Sequence, residues 1–313
     1  TGATTGGSNT IGGITYDVSK TATYGTLYVR SSDGSYVYVP NATAINSVAS
    51  GTRSNSFTMS VSDGSLSSTQ TYTVNITGAN DLPTATGIPS SITVLEDTSS
   101  NVNLSSITWG DVDGDSLNVT LSSTAGLLAA SSSGGVTVSG SGTASLTLSG
   151  TPNAIQSYLA TQSNVQYTGV SNASGNNAAT LSISVSDGNA GSLASNPSIA
   201  INITDISETP TITATAKTTS FTQGSATAVG LFSSATASTA DTGQTFSGVV
   251  LTVSNVSDAA EYLTIGGIDI ALTNGASGTI ANVGSYSVAV NTGIATVTLS
   301  GMMQSDVDME SLI

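Results

Sequence analysis

Short stretches in which β-branched or aromatic residues alternate with Ser or Thr run along the whole chain and restrict it to β structure. Within 71–77, Tyr72, Val74 and Ile76 point to one side of the chain, and the Thr and Asn residues between them point to the other. A period of two predicts strands with one buried face and one polar face. The same alternation occurs at 181–185, 199–203, 249–253 and 296–299.

Turn residues separate these stretches, and helical patterns are almost absent. Asp-Gly, Asn-Gly and Gly-Gly pairs, which favour tight turns, stand at 33–34, 63–64, 134–135, 187–188 and 274–275. Two segments, 153–161 and 304–313, are predicted to form helices of one or two turns. The sequence therefore predicts an all-β chain.

Composition excludes whole classes of chemistry. The 313 residues include no Cys and no His, and 19 acidic residues stand against four basic ones, for a net charge of −15. Zinc, haem, disulfide and Ser-His-Asp chemistry all need residues that the chain lacks. A phosphate or nucleic-acid site needs clustered Lys and Arg, and no apolar stretch is long enough to span a membrane. The basic residues are scattered at Lys20, Arg30, Arg53 and Lys217.

Internal repeats divide the chain into tandem units. FTMSVSDG (57–64) matches LSISVSDG (181–188), and YTVNITGANDLPT (72–84) matches IAINITDISETPT (199–211). A third echo pairs LTLSGTPNAIQSYL with VTLSGMMQSDVDMESL near the end of the chain. Repeats this far apart predict whole β domains rather than solenoid turns. We predict three units, 1–82, 83–209 and 210–313, joined at Asn80–Pro83 and at Ser207–Pro210.

The two outer units are expected to be incomplete. In the middle unit two predicted strands follow NAIQSYL before the joint, whereas the third unit stops at the equivalent point. A sandwich that lacks two strands exposes part of its core and an open edge. We therefore expect either a piece of a longer chain or units completed by neighbouring molecules.

Three segments resemble known bacterial repeat families. GTLYVRSSDGSYVYVPN (25–41), with FTMSVSDG and YTVNITGANDLP, resembles the VCBS repeat, and LEDTSSNVNL (95–104), with WGDVDGDSLNVTLS (109–122), resembles bacterial cadherin-like domains. The third unit is similar to another module of this kind. The resemblance implies tandem Ig-like β-sandwiches of giant secreted, RTX-type adhesins at the bacterial cell surface. It also implies Ca²⁺ bound at loops and joints.

The run Asp111-Val-Asp113-Gly-Asp115 is the sharpest candidate site. Three carboxylates at alternate positions around a Gly can line one loop with oxygen atoms, and Ca²⁺ takes six to eight oxygen ligands in loose geometry. The alternative is a solvated acidic turn. The run is not an EF-hand, because the carboxylate at position 12 is missing and strands flank it.

Four further positions are candidate Ca²⁺ ligands at the joints and turns. Glu96 and Asp97 match the acidic pair that begins a cadherin-like domain, and Asn80 and Asp81 stand in the first joint. The alternatives are a capping or solvated pair for the former and an Asx turn before Pro83 for the latter.

The sequence gives weaker reasons to expect Ca²⁺ binding at the remaining acidic residues. Asp63 and Asp187 follow strands in the repeated SDG turns and are plausible ligands, although a hairpin turn alone accounts for Asp-Gly. The second joint departs from the family pattern, with Asp205 and Glu208 in TDISETP and Gln223 beyond it, so Ca²⁺ binding is not expected there. We interpret a dispersed group as solubilising charges: Asp241, Asp258, Glu261 and Asp269.

The expected function is structural rather than enzymatic. The chain is predicted to be a stalk or fibre segment of an extracellular adhesin or matrix protein, with neighbouring repeat domains as its partners. Two alternatives stay open. One is a filament or sheath subunit that exchanges strands with copies of itself, and the other is a module that binds cell-surface glycans or matrix. The Tyr residues at 24, 28, 36 and 38 fit core packing better than a glycan surface.

Overall fold

The chain is all-β and forms tandem β-sandwich domains, as the alternation of residues predicts. In this computed structural model the described residues are 3–189, 191–218, 228–241, 243–257 and 260–312. The backbone divides into two compact units. The first comprises Thr1–Val94, Thr98–Gly169 and Asn176–Asn202, and the second comprises Leu95–Asp97, Val170–Gly175 and Ile203–Ile313. Gln223 and Asp258 lie outside the described residues.

The N-terminal region consists of a four-stranded antiparallel sheet, a short helix and a long hairpin. The sheet has the order β1-β2-β3-β4, and the hairpin pairs β5 with β6 over its whole length. Between β3 and β4 the Arg30 guanidinium donates to the Asp33 carboxylate. The elements are β1 (Thr4–Ile11), β2 (Ile14–Ala22), β3 (Gly25–Val29), β4 (Tyr36–Pro40), α1 (Ala42–Asn46), β5 (Thr52–Ser62) and β6 (Ser67–Thr77).

Only the base of the β5–β6 hairpin is packed. Phe57 is buried and meets the ring of Tyr38 edge-on, and the side-chain oxygen of Asn55 accepts a hydrogen bond from the Tyr38 hydroxyl (2.9 Å). Beyond Phe57 the same face of β5 carries Met59 and Val61, and both side chains are exposed. The tip of the hairpin thus presents apolar residues to solvent.

The middle of the chain forms a six-stranded sheet of order β13-β14-β11-β16-β17-β8, a three-stranded sheet β12-β15-β9 and the pair β10-β7. The bounds are β7 (Thr84–Thr86), β8 (Ser91–Leu95), β9 (Ser100–Asn101), β10 (Thr108–Gly110), β11 (Leu117–Ser123), β12 (Leu127–Ala130), β13 (Thr137–Ser139), β14 (Ser145–Gly150), α2 (Pro152–Leu159), β15 (Val165–Thr168), β16 (Gly175–Ser186) and β17 (Ser198–Thr204), with a 3₁₀ turn at Gln162–Asn164.

Strand β11 is the centre of this sandwich. It pairs with β14 on one edge and with β16 on the other, so neither edge is open. Its alternate residues Leu117, Val119 and Leu121 are completely buried. The Ser and Thr on its other face lie in cross-strand pairs, as where Thr120 hydrogen-bonds Thr147.

Helix α2 begins where the sequence places its cap. The Thr151 hydroxyl accepts a hydrogen bond from the N–H of Ala154, and Pro152 occupies the first turn, where its missing N–H costs nothing. Ile155, Tyr158 and Leu159 share the buried face. This spacing of three and four residues is what a helix lying on a core requires.

We expect Thr151→Ala to destabilise the middle sandwich by about 0.5–2 kcal/mol, the usual cost of losing an N-cap. The reason is that the N–H of Ala154 loses its acceptor. Urea unfolding followed by the fluorescence of Trp109 measures this change. Ser163→Ala, in the adjacent 3₁₀ turn, serves as a matched control, and an equal effect of both changes would contradict the capping role.

The C-terminal region has a four-stranded sheet of order β20-β25-β24-β23 and the pairs β18-β19 and β21-β22. Its core includes Ile270, Val297 and Met309. The elements are β18 (Thr211–Ala216), β19 (Phe232–Ser238), β20 (Phe246–Ser254), β21 (Tyr262–Ile265), β22 (Ile268–Ala271), β23 (Ser277–Ile280), β24 (Gly284–Asn291), β25 (Ile294–Gln304) and α3 (Asp306–Leu312).

Each alternating stretch of the sequence lies in a strand, and both predicted helices form, as α2 and α3. Helix α1 was not predicted. Its signal is Asn41, whose side chain accepts a hydrogen bond from the N–H of Ala44 and so caps the first turn.

Candidate metal centres

A first acidic cluster (Asp111, Asp113 and Asp115) lies in the loop between β10 and β11. One carboxylate oxygen from each residue lies within 4.8 Å of the others. The loop is tightened by hydrogen bonds from the N–H of Asp115 to Asp111 Oδ1 (3.1 Å) and from the N–H of Gly114 to the Asp111 carbonyl (3.3 Å). Gly114 has a φ of 76°, which favours glycine. The predicted gathering of three carboxylates is therefore present.

Residues from two other segments meet this cluster. After β6, the N–H of Asp81 donates to Asp113 Oδ2 (2.6 Å). After β16, Asn189 Nδ2 donates to Asp115 Oδ2 (2.7 Å). The structure thus brings together three segments that are distant in sequence.

Asn80 and Asp187 complete the surroundings of the first cluster. Asn80 Nδ2 donates to Asp187 Oδ2 (2.8 Å), and Asp187 Oδ1 accepts from the N–H groups of Asn189 and Gly191. Burial acts to raise the pKa of Asp187, but these hydrogen bonds outweigh it and hold that pKa below its usual value. Asp187 therefore stays ionised and orients Asn80.

Three oxygen atoms of this assembly are buried without a hydrogen-bond partner: Asn80 Oδ1, Asp111 Oδ2 and Asp113 Oδ1. Buried oxygens without donors carry a large desolvation cost, and a cation removes it. The chain has only four basic residues to supply positive charge. A donor set of carboxylate and amide oxygens fits Ca²⁺, which prefers hard oxygen ligands.

A second acidic cluster (Glu96, Asp205 and Asp241) forms where three strands end. Glu96 follows β8, Asp205 follows β17, and Asp241 lies shortly after β19. One carboxylate oxygen of each lies within 4.8 Å of the others. Glu96 is 0% exposed and Asp241 is 4% exposed. The interpretation of Asp241 as a solubilising surface charge is therefore wrong.

The hydrogen bonds of the second cluster leave some of its oxygens unsatisfied. Glu96 Oε1 accepts from the N–H of Ile206, and Asp205 Oδ2 accepts from Gln244 Nε2 (3.1 Å), which also donates to Asp241. Glu96 Oε2 and Asp241 Oδ1 are buried and have no partner. These oxygens give the second cluster the same unmet need for a cation as the first.

Glu208 adjoins the second cluster and shares its negative charge. A hydrogen bond with Asp241, burial and the charges of Asp241, Glu96 and Asp97 raise the pKa of Glu208 to about 7. Its Oε2 is also buried without a partner. In the absence of a cation, a proton held by Glu208 relieves part of the repulsion.

In chelator, we expect the melting temperature of the second unit to fall as the pH rises from 6 to 8. The folded-state pKa of Glu208 is above its ordinary value, so its contribution to stability is complete at low pH and disappears as the pH passes about 7. The chain has no His or Cys to titrate in this range. Scanning calorimetry tests this, and Glu208→Gln should flatten the profile. A melting temperature that rises with pH would contradict the assignment.

Two predicted ligands lie outside both clusters. Asp63 Oδ1 accepts from the N–H groups of Ser65 and Leu66 within its own turn, and these bonds lower the pKa of Asp63. Asp97 has a φ of 51° and accepts from the N–H of Asn172. Their roles as ligands stay predictions.

Sequence reasoning named Glu96 as a candidate ligand but missed its two partners in the second cluster, Asp205 and Asp241. The acidic pair Asp205 and Glu208 in TDISETP was a signal, but it lacks the Asn-Asp of the first joint. Asp241 has no acidic neighbours in sequence, so only the fold reveals its place.

Comparisons with known proteins give no family. No family model matches the chain, and no curated protein matches it. Among solved structures, the extracellular cadherin domains 1–5 of protocadherin gamma B2 align with 91% of the chain at 11% identity and a TM-score of 0.33. Domains 4–9 of the surface layer protein SbsC align with 89% at 16% identity and a TM-score of 0.23.

The chain spans 46% of the protocadherin structure and 34% of the surface layer structure. At these TM-scores the likenesses carry no argument about function. Within the described residues, no helix is both long and apolar enough to cross a membrane. We therefore infer the sandwich architecture from the sheets and a function from the two acidic clusters.

Proposed function

We propose that the chain is a structural segment of a bacterial extracellular adhesin or matrix protein, stiffened by Ca²⁺, and that it has no enzymatic role. The observation that carries this proposal is the set of buried oxygens without partners at the first cluster. The resemblance of the sequence to VCBS repeats and bacterial cadherin-like domains supports the assignment to RTX-type adhesins. We retain the division into 1–82, 83–209 and 210–313 as part of the proposal.

The ligands at the first cluster explain how a cation would stiffen the chain. Asn80, whose Oδ1 is buried without a partner, belongs to the segment that leaves the hairpin, whereas Asp111, Asp113 and Asp115 belong to the middle sandwich. Asp81 meets the cluster through its N–H group, and its role as a ligand stays a prediction. Ca²⁺ bound to both Asn80 and the cluster fixes the connecting segment against the sandwich and cancels the repulsion among the carboxylates. Extracellular modules bind Ca²⁺ with dissociation constants of about 10⁻⁴–10⁻³ M, so this stiffening would occur outside the cell.

The second cluster extends the same proposal to the second joint. Glu96 and Asp205 are at the ends of strands of the middle sandwich, and Asp241 comes from the following region. Glu96 Oε2 and Asp241 Oδ1 are buried without a hydrogen-bond partner, so both oxygens are available to a cation. We infer that Ca²⁺ binds here as well, in contrast to the expectation from the sequence.

Binding at the first cluster can be measured with a natural reporter. Trp109 is the single Trp of the chain, is buried, and lies two residues before Asp111. We expect its fluorescence to change on titration with Ca²⁺ and calorimetry to detect binding in the same concentration range. Asp113→Asn should weaken this transition about tenfold or more, since it removes one charged ligand, and Asp269→Asn, an exposed acid outside both clusters, should not.

The outcomes separate a Ca²⁺ site from an acidic surface. A saturable transition that Mg²⁺ reproduces only at much higher concentration supports the proposal. The absence of binding at 10 mM Ca²⁺, or equal effects of Asp113→Asn and Asp269→Asn, would overturn it.

A further inference from the structure

Strand β20 has an open edge beside an open apolar cavity. Within the described residues β20 pairs with β25 alone. Its alternate residues Val249, Leu251 and Val253 are only partly buried and line a cavity of about 630 Å³. An open edge with an uncovered apolar face is able to accept a further strand.

In the middle sandwich, a further strand covers the equivalent edge. Val119 of β11 pairs with Leu148 of β14, just as Val249 of β20 pairs with Leu299 of β25. The two partner strands carry the repeated LTLSG and VTLSG sequences, so β11 and β20 occupy equivalent places. On its other edge β11 pairs with β16.

The sequence of β16 is repeated in β5, and β5 also has an open edge. FTMSVSDG of β5 and its turn aligns with LSISVSDG of β16 and its turn without a gap, and the last five residues, SVSDG, are identical. In the described part of the chain β5 pairs with β6 alone. At the tip, Met59 is 38% exposed and Val61 is 72% exposed.

We propose that the β5–β6 hairpin of one copy adds to the open edge of β20 in a second copy. The pairing is antiparallel, as between β16 and β11. In β11 and β16, Val119 faces Val185 and Leu121 faces Ile183. The equivalent register places Val61 opposite Val249 and Met59 opposite Leu251, and so directs both exposed side chains into the cavity.

The charges of the two strands permit this contact. Protein edges that must stay unpaired commonly carry Lys or other charged residues. Strand β20 has none, and β5 has only Arg53, at the end away from the tip. The contact therefore buries uncharged strands even though each copy carries a net charge of −15.

The two surfaces are different parts of the molecule, so the contact is head-to-tail. A heterologous contact that does not close into a ring gives an open filament. Each copy would donate its hairpin to one neighbour and accept a hairpin from another. This assembly uses no residue of either acidic cluster, so it does not depend on Ca²⁺ binding.

A cross-linking experiment tests the register. The chain has no Cys, so Val61→Cys and Val249→Cys proteins can be mixed and oxidised. Residues directly opposite in antiparallel strands have Cβ atoms about 4.5–5.5 Å apart, which is close to disulfide distance. We expect the mixed dimer to exceed both homodimers. Val61→Cys mixed with Val250→Cys is the control, because Val250 is 64% exposed but lies on the opposite face of β20.

Sedimentation tests the assembly itself on the full chain, in Ca²⁺ and in chelator. We expect association to increase with concentration and Val61→Lys to weaken it about tenfold or more, as for a buried interface residue. Ile212→Lys, a change at another exposed apolar residue, should have no such effect. Because Val61 is exposed, Val61→Lys should melt like the parent chain when monomeric.

The cross-linking and sedimentation results decide whether strand addition occurs. A monomer at all concentrations up to the millimolar range, equal cross-linking of Val249→Cys and Val250→Cys, or unchanged association of Val61→Lys would overturn the proposal. Strand addition that occurs in chelator supports it even if Ca²⁺ binding fails. A strict monomer that binds Ca²⁺ would overturn strand addition and leave the proposed function intact.

Discussion

We expect Glu96→Gln to raise the melting temperature of the second unit in chelator and to abolish the increase that Ca²⁺ produces there. In the absence of a cation, Glu96 places a fully buried carboxylate next to Asp205 and Asp241. The Gln side chain keeps an oxygen for the N–H of Ile206 and offers an amide donor to Asp241 Oδ1, which has no partner. Satisfying such a group is worth about 1–3 kcal/mol.

In Ca²⁺ the sign of the effect reverses. The same substitution removes a charged ligand, so the variant should be less stable than the parent chain at millimolar Ca²⁺. Scanning calorimetry in both buffers measures the two effects, and Glu261→Gln is the control because Glu261 lies outside the cluster. A lower melting temperature of Glu96→Gln in both buffers would mean that Glu96 is structural and binds no ion.

We expect Leu121→Ala to destabilise the middle sandwich by about 2–5 kcal/mol, the cost of a cavity in a closed core. Leu121 is 0% exposed in a strand paired on both edges. Leu251→Ala, at the equivalent place in β20, should cost less in the monomer, because Leu251 lines a cavity that is already open.

Urea unfolding followed by Trp109 fluorescence measures the first change, and hydrogen exchange of β25 amides measures the second. If hairpins of neighbouring copies cover the open edge of β20, the cost of Leu251→Ala should increase at concentrations where the protein assembles. Equal costs for both substitutions in the monomer would show that the β20 face is closed.

The sequence predicted the strands, since alternation of apolar and Ser/Thr residues is a local property. It also predicted the first cluster, because Asp111, Asp113 and Asp115 lie on one short loop. Glu96 was also a candidate ligand, but its partners Asp205 and Asp241 could not be predicted in this way. Glu96 and Asp241 are far apart in the chain and meet only because the strands before them end at the same place.

The repeated SVSDG sequence shows a second limit of prediction from sequence, because its two copies have different surroundings. The SVSDG segment gives a turn at Asp187 that holds Asn80 beside an acidic cluster, but it gives a solvated hairpin turn at Asp63. Local sequence fixes the turn, because the N–H groups that follow Asp187 and Asp63 bond to the Asp oxygens in both places. The surroundings supplied by other segments decide whether the Asp also faces other polar groups.

The scarcity and placement of basic residues decide where trypsin-like proteases can cut the folded chain. Trypsin-like enzymes cleave after Lys or Arg, and the chain offers four such bonds. Lys20 lies within β2, Arg53 lies within β5, and Arg30 is held by Asp33 in the turn after β3. Cleavage needs a segment that detaches from its sheet. Digestion of the folded chain should therefore begin after Lys217, at the end of β18, and leave two long, durable fragments.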